Sequence, residues 1–201
     1  MTYPRRLPYP DMDNLTPEQI ELRRIMGPRR GGPNATRLMK MLVNFPIYGQ
    51  AIRSLGARTA DNNSLPPRLY QIACMRASWL CDAEYLWSQH RTASLALGIT
   101  DEELYAVAAG PTNTVLKGLD QQIVVAIDEL HFDHRYSDAS WTGFDEPLGP
   151  DAKLDILMTH AIFVMQANLA NSTGVDLEDG VPGFSEDLLA LRAEQRQAGQ
   201  V

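Results

Sequence analysis

Apolar positions along the chain recur at three- and four-residue spacing, and no stretch alternates apolar with polar in the way of a half-buried strand. Thr16-Pro17-Glu18-Gln19 reads as a capping box with proline in the first turn, opening a helix to about Met26 that Gly27-Pro28 ends. Residues 28–34 read as a loop, followed by short helices at 35–44 and 46–55 and a polar loop over 56–65. Pro66-Pro67 opens a helix over roughly 67–81, with Leu69, Ile72, Ala73, Met75, Ala77 and Leu80 at helical spacing. Asp82 is placed to cap a helix over 83–97, closed by Gly98. Thr100-Asp101-Glu102-Glu103 forms a second capping box, for a helix ending near Ala109. A long amphipathic helix is predicted over 117–135, and a short one capped by Ser137-Asp138 runs to Phe144. Gly149-Pro150 starts the last large helix, 151–171, with Gly174 beyond its end. Ile162, Phe163, Val164 and Met165 make its second half apolar on nearly every side, which predicts burial. Ser185-Glu186-Asp187 caps a polar C-terminal helix. With no Asn-Gly hairpin signal either, the pattern is all-α.

Composition narrows the function. At 201 residues and 44% hydrophobic, the chain can bury a core without disulfides or a structural metal. It lacks the run of roughly 18–20 apolar residues that a membrane helix needs, and its N-terminus has no apolar signal core, so a cytoplasmic protein without membrane contact is expected. A net charge of −7 argues against nucleic acid as a partner. The charge is divided: residues 1–68 hold 11 Lys+Arg and 5 Asp+Glu, and residues 69–201 hold 7 and 20. A basic, proline-rich segment wrapping an acidic helical body, within one subunit or between subunits, accounts for this.

Cys74 and Cys81 lie seven residues apart, about 10.5 Å along an unbroken helix. That separation is too long for a disulfide, so two structural thiols are expected. Trp87 and His90 share a helical face, and a histidine beside aromatic groups is a plausible acid/base. His131 and His134, with Asp128 and Asp133 near them, form an H-x-x-H that reads as a polar helix end more readily than as a metal site. His160, in the apolar last helix, needs a hydrogen-bond partner or a ligand and is a second-rank pocket residue. No P-loop, dinucleotide fingerprint or nucleophile elbow occurs.

From Pro67 to Ala109 the chain resembles the carboxymuconolactone decarboxylase / alkylhydroperoxidase D-like family. The matching residues are Arg76, Tyr85, Trp87, His90, Ala93, Gly98, Ile99, Thr100 and Asp101-Glu102-Glu103-Leu104. The likeness continues through Asp128-Glu129-Leu130-His131, through Tyr136-Ser137-Asp138-Ala139-Ser140-Trp141 and over 168–175, covering most of 35–180. It implies an all-α helical bundle at 35–180, preceded by an arm at 1–34 with one short helix and followed by a polar tail or helix at 181–201. It also implies a homo-oligomer, trimer or hexamer, with the arm packed on a neighbouring subunit.

The departures from the family pattern shape the expected activity. The peroxidase branch carries C-x-x-C-x-x-x-H, and its cysteine positions fall here on Ala83 and Leu86. Without a resolving thiol pair a reductive cycle has no electron path. The family's Y-E-W glutamate also falls on Leu86, and an upstream relay glutamate falls on Gln71. What the resemblance implies is therefore a decarboxylase: a lyase without metal or organic cofactor, taking a small carboxylated lactone or aromatic-derived ring in aromatic catabolism. His90 would donate the proton, Tyr85 would donate a hydrogen bond to the developing oxyanion, and Glu84 is a candidate replacement carboxylate. Arg76 would anchor the substrate carboxylate, and Trp87, Leu86, Gln71 and His160 would line a pocket less anionic than is usual in the family. The alternatives are a ligand-binding protein that kept only the scaffold and, with less support, a thiol peroxidase using Cys81.

Overall fold

The structure, a computed structural model, describes residues 4–26 and 36–199; the loop expected over 28–34 lies outside them. Ten helices follow one another, with no strand among the described residues. They are α1 (Pro17–Met26), α2 (Arg37–Leu42), α3 (Pro46–Asp61), α4 (Pro67–Leu80), α5 (Glu84–Ala96), α6 (Asp101–Ala109), α7 (Gly118–Phe132), α8 (Asp138–Gly143), α9 (Gly149–Thr173) and α10 (Glu186–Gln197). Their ends carry the chemistry read from the sequence. Thr16 and Gln19 exchange hydrogen bonds at the start of α1. Thr100 and Glu103 close a capping box on α6, and Ser137 and Ser185 cap α8 and α10. Proline stands in the first turn of α3, α4 and α9, where its missing N–H costs nothing. Gly174 ends α9 in the left-handed conformation.

The bundle is built around α4, which packs against α5, α6, α7 and α9. Every residue from Leu69 to Leu80 is buried, so α4 is central and has no solvent face. Its polar side chains are tolerated there because they are paired: Gln71 with His90, Arg76 with Asp128, and Ser78 with the carbonyl of Cys74. A smaller cluster of Leu22, Leu42 and Ile52 ties α1 to α2 and α3.

Three expectations change in the folded chain. Asp82 does not cap α5, because it sits at φ 52° with its carboxylate turned to Arg192 and Arg196 of α10, and Ala83 takes the cap position. Two full charges across the helix gap outweigh one neutral backbone N–H. The second half of α9 is buried on one side only: Ile162, Phe163, Ala167 and Ala170 face the core, while Val164 and Met165 are half-buried. Finally, α10 is polar by composition yet docks through a buried stripe of Leu188, Arg192 and Gln195. Gln195 accepts a hydrogen bond from the Trp79 indole and donates to the Ala108 carbonyl. The Arg192 guanidinium lies 4.0 Å above the Trp79 ring, and burial lowers its pKa to about 10.

The described start of the N-terminal segment contacts the end of α9. Arg6 donates from its backbone N–H to the Thr173 carbonyl and from its side chain to the Ser172 carbonyl. Arg5 pairs with Asp176 at 3.1 Å. The carbonyls ending α9 and the acidic segment after it attract the basic arm. Among the described residues no helix is long and apolar enough to cross a membrane.

Candidate active site

His90 is carried by α5 against α4 and α9, where it is 7% exposed. Its Nδ1 lies 2.9 Å from Oε1 of Gln71. An amide oxygen only accepts, so Nδ1 carries the proton and the ring's lone pair lies on Nε2. The Phe163 ring stands edge-on to the imidazole at 4.9 Å, and the Tyr70 ring does so at 6.4 Å. One turn further along α5, Ser94 donates to the His90 carbonyl. The result is an oriented imidazole between aromatic walls, held by a neutral partner. Nε2 is the atom that can exchange a proton with a bound molecule.

Of the residues expected beside it, Gln71 is hydrogen-bonded to His90. Arg76 is 3% exposed and spends its guanidinium inside the protein. It donates to both oxygens of Asp128, at 2.5 and 2.8 Å, and to the carbonyls of Val107 and Ala108. It serves α4, α6 and α7 as a structural clamp, because an arginine surrounded by acceptors within the bundle has no fork left to present to a substrate. Tyr85 points to the other end of α5. Its hydroxyl accepts from the Leu38 N–H at 3.1 Å and donates to Glu178 at 3.0 Å, and burial raises its pKa. Glu84 accepts from the Phe184 N–H at 2.9 Å. Trp87 is buried against Trp79 and Phe184, with ring centroids 5.4 and 5.8 Å away, although it shares a helical face with His90. Leu86 is core.

His160 finds the partner it needs in His131, whose Nδ1 lies 3.4 Å from its Nε2. Burial, then the neighbouring imidazole, lowers the His160 pKa to about 4; burial also lowers that of His131. Among the described residues no group of three or more His, Cys, Asp and Glu side chains could hold a metal ion. Cys74 and Cys81 form no disulfide, and burial pushes the Cys81 pKa up to about 11.

Sequence reasoning missed Phe163 and Tyr70 as the rings packed against His90. Phe163 is 73 positions from His90 in the chain, and only helix packing brings the two together. It also missed Glu178 as the partner of Tyr85. Among the described residues, three surface clefts do not have His90 in their lining. The first, about 80 Å³, lies between Glu84, Tyr85, Asn171 and Phe184. The second, about 280 Å³, lies between α7 and α8. The third, about 310 Å³, lies between the N-terminal arm and α2.

Residues 46–114, which include Gln71, Arg76 and His90, match the sequence model of the carboxymuconolactone decarboxylase family. The fold also matches a crystal structure described as an alkylhydroperoxidase AhpD core, an uncharacterized peroxidase-related protein from Ralstonia eutropha JMP134. That match has a TM-score of 0.73 at 16% identity, over 88% of this chain and 94% of the other. No curated protein matches the sequence. Residues 46–114 thus carry a match to the carboxymuconolactone decarboxylase family, and the chain has the all-α fold of the AhpD-like structure.

Proposed function

We propose that the protein is a cofactor-independent carbon–carbon lyase, a decarboxylase acting by proton transfer at His90 on a small carboxylated lactone or aromatic-derived ring compound. The observation that carries this is the His90–Gln71 hydrogen bond, which sets the ring's tautomer and aims its proton chemistry through Nε2. Loss of CO₂ leaves the bonding electron pair on the ring carbon as a delocalised carbanion. Nε2 first takes a proton from solvent; the resulting imidazolium Nε2–H quenches the carbanion, returning the neutral ring held by Gln71, and solvent resupplies the proton at each turnover. Apolar walls from Phe163 and Tyr70 suit a ring-shaped substrate. The thiols support the peroxidase alternative poorly, since family cysteine positions are Ala83 and Leu86 and Cys81 stays protonated. A non-catalytic binding role draws support from the neutral Gln71 and Leu86 at the family's acidic positions.

The same reading takes the protein as a homo-oligomer. Ile47 and Tyr48 of α3, 82% and 68% exposed, together with Leu154 of α9, are apolar surface suited to a second copy. Solution mass tests that point. The activity is tested by CO₂ release, with deuterium uptake from D₂O, over a panel of unsaturated carboxylactones and aromatic-acid catabolites. Turnover that His90→Gln removes, with thermal unfolding unchanged, supports the lyase. Binding without turnover in the wild type favours the accessory protein.

A further inference from the structure

The cleft between the N-terminal arm and α2 carries a charge opposite to that of the whole chain. Arg5, Arg37 and Lys40 line it with a single carboxylate, Asp176. The other walls are Tyr9, the buried Pro10 and the exposed Met12. Two of the cations are partly neutralised. Arg5 pairs with Asp176 at 3.1 Å and lies 4.8 Å above the Tyr9 ring. Arg37 pairs with Asp179 at 2.7 Å and with Glu178 at 3.6 Å. Lys40 is different: its ammonium has no hydrogen-bond or ion-pair partner among the described residues, although its side chain borders the cleft. Lys40 and Arg37 are three apart on α2, so both stand on the same side of that helix.

We infer that this cleft binds a small oxyanion, a carboxylate or phosphate, with Lys40 as its principal charge partner and Arg5 and Arg37 flanking it. About 310 Å³ accommodates a single ring with its acid group, and Tyr9, Pro10 and Met12 provide the apolar side such a ring needs. An unpaired ammonium in a concave site attracts an anion more strongly than one on open surface, because the low-dielectric walls focus its field. His90 does not line this cleft, and the cleft's ligand is independent of the lyase reading.

The test uses the full chain with three probes: benzoate, inorganic phosphate and the neutral isostere benzamide. Titration is followed by calorimetry and by backbone amide shifts, in wild type, Lys40→Gln, Arg5→Gln and His90→Gln. Saturable shifts at residues 5–12 and 37–40 with benzoate or phosphate, but not benzamide, are the expected result. Which anion binds tells whether a carboxylate-bearing ring or a phosphate is the source. Lys40→Gln should weaken that binding by roughly tenfold or more, as expected for loss of a charge-assisted hydrogen bond, and His90→Gln should leave it intact. Two results overturn the inference: no saturable binding by either anion, or equal affinity in wild type and Lys40→Gln. Shifts confined to the surroundings of residue 90 and lost in His90→Gln also overturn it, while leaving the lyase reading standing.

Discussion

Arg76 and Asp128 meet across 52 residues of chain in a two-pronged ion pair, Nε to Oδ1 at 2.5 Å and Nη2 to Oδ2 at 2.8 Å. An arginine that resemblance assigns to the substrate is thereby committed to holding α4 and α7 together, with two α6 carbonyls as further acceptors. Arg76→Met leaves Asp128, 16% exposed at its side chain, without its counter-charge. The expected cost is about 3 kcal/mol, the range for breaking one side of a buried pair. Urea unfolding measures it. Arg76→Lys should recover only part, because an ammonium cannot reproduce the fork. Full stability in Arg76→Met would sink the clamp.

Gly110 closes this clamp from above. It sits at φ 97°, ψ −166°, a region open essentially to glycine alone, and a Cβ there would lie 2.9 Å from Nη2 of Arg76. Gly110→Ala is expected to cost about 1–3 kcal/mol from backbone strain, with displacement of Arg76 adding to it. A thermal shift comparison with the open position Gly143→Ala, where the added Cβ meets nothing within 4 Å beyond its chain neighbours and its own helix backbone, isolates the effect.

Gln71 positions His90, and its replacement separates tautomer control from packing. Gln71→Leu keeps the volume but removes the acceptor for Nδ1–H. Activity should fall roughly tenfold or more, since a wrong tautomer alone removes most of a histidine base's contribution. Nitrogen shifts of the His90 ring should show a mixture of tautomers in place of one. Gln71→Glu brings a carboxylate beside the ring and should move the pH–activity profile to higher pH. An unchanged profile together with unchanged ring shifts would remove Gln71 from the mechanism.

The His131–His160 pair makes stability depend on pH in a set direction. Both pKa values are lowered on folding, that of His160 from 6.5 to about 4. Asp128 works against the shift at His131, while Arg76 and His134 add to it, and His134 also adds at His160. Between about pH 6.5 and 4 the unfolded chain therefore binds more protons, and stability falls as pH falls through that window. The loss should be on the order of 1–3 kcal/mol after allowance for partial exposure. Urea midpoints at pH 7.5, 6 and 5 measure it, and His160→Gln should flatten the curve.

Cys81, with its pKa near 11, should alkylate slowly at neutral pH. Only about one thiol in ten thousand is then ionised. Any peroxide consumption by the protein should survive Cys81→Ser. Consumption that disappears in that variant would instead restore the thiol peroxidase.

Local chemistry was legible from the chain wherever it acts within a turn or two. The capping boxes at Thr16 and Thr100, the prolines opening α4 and α9 and the glycine closing α9 needed no tertiary contact, because each satisfies backbone groups of its own helix. Asp82 shows the limit. Its cap chemistry was sound, but α10, 104 residues later, offers two guanidinium groups.

By itself the sequence determined the all-α class, the helix succession and the placement of His90 19 positions after Gln71, because periodicity and capping are properties of neighbouring residues. Only the tertiary structure decided what each candidate does. Packing put Gln71 and Phe163 on His90, turned Arg76 toward Asp128 and Tyr85 toward Glu178, and paired His160 with His131. The reason is that a buried polar group must find its partner wherever the fold brings one. That partner is set by which helices share a face, a relation between segments far apart in the chain.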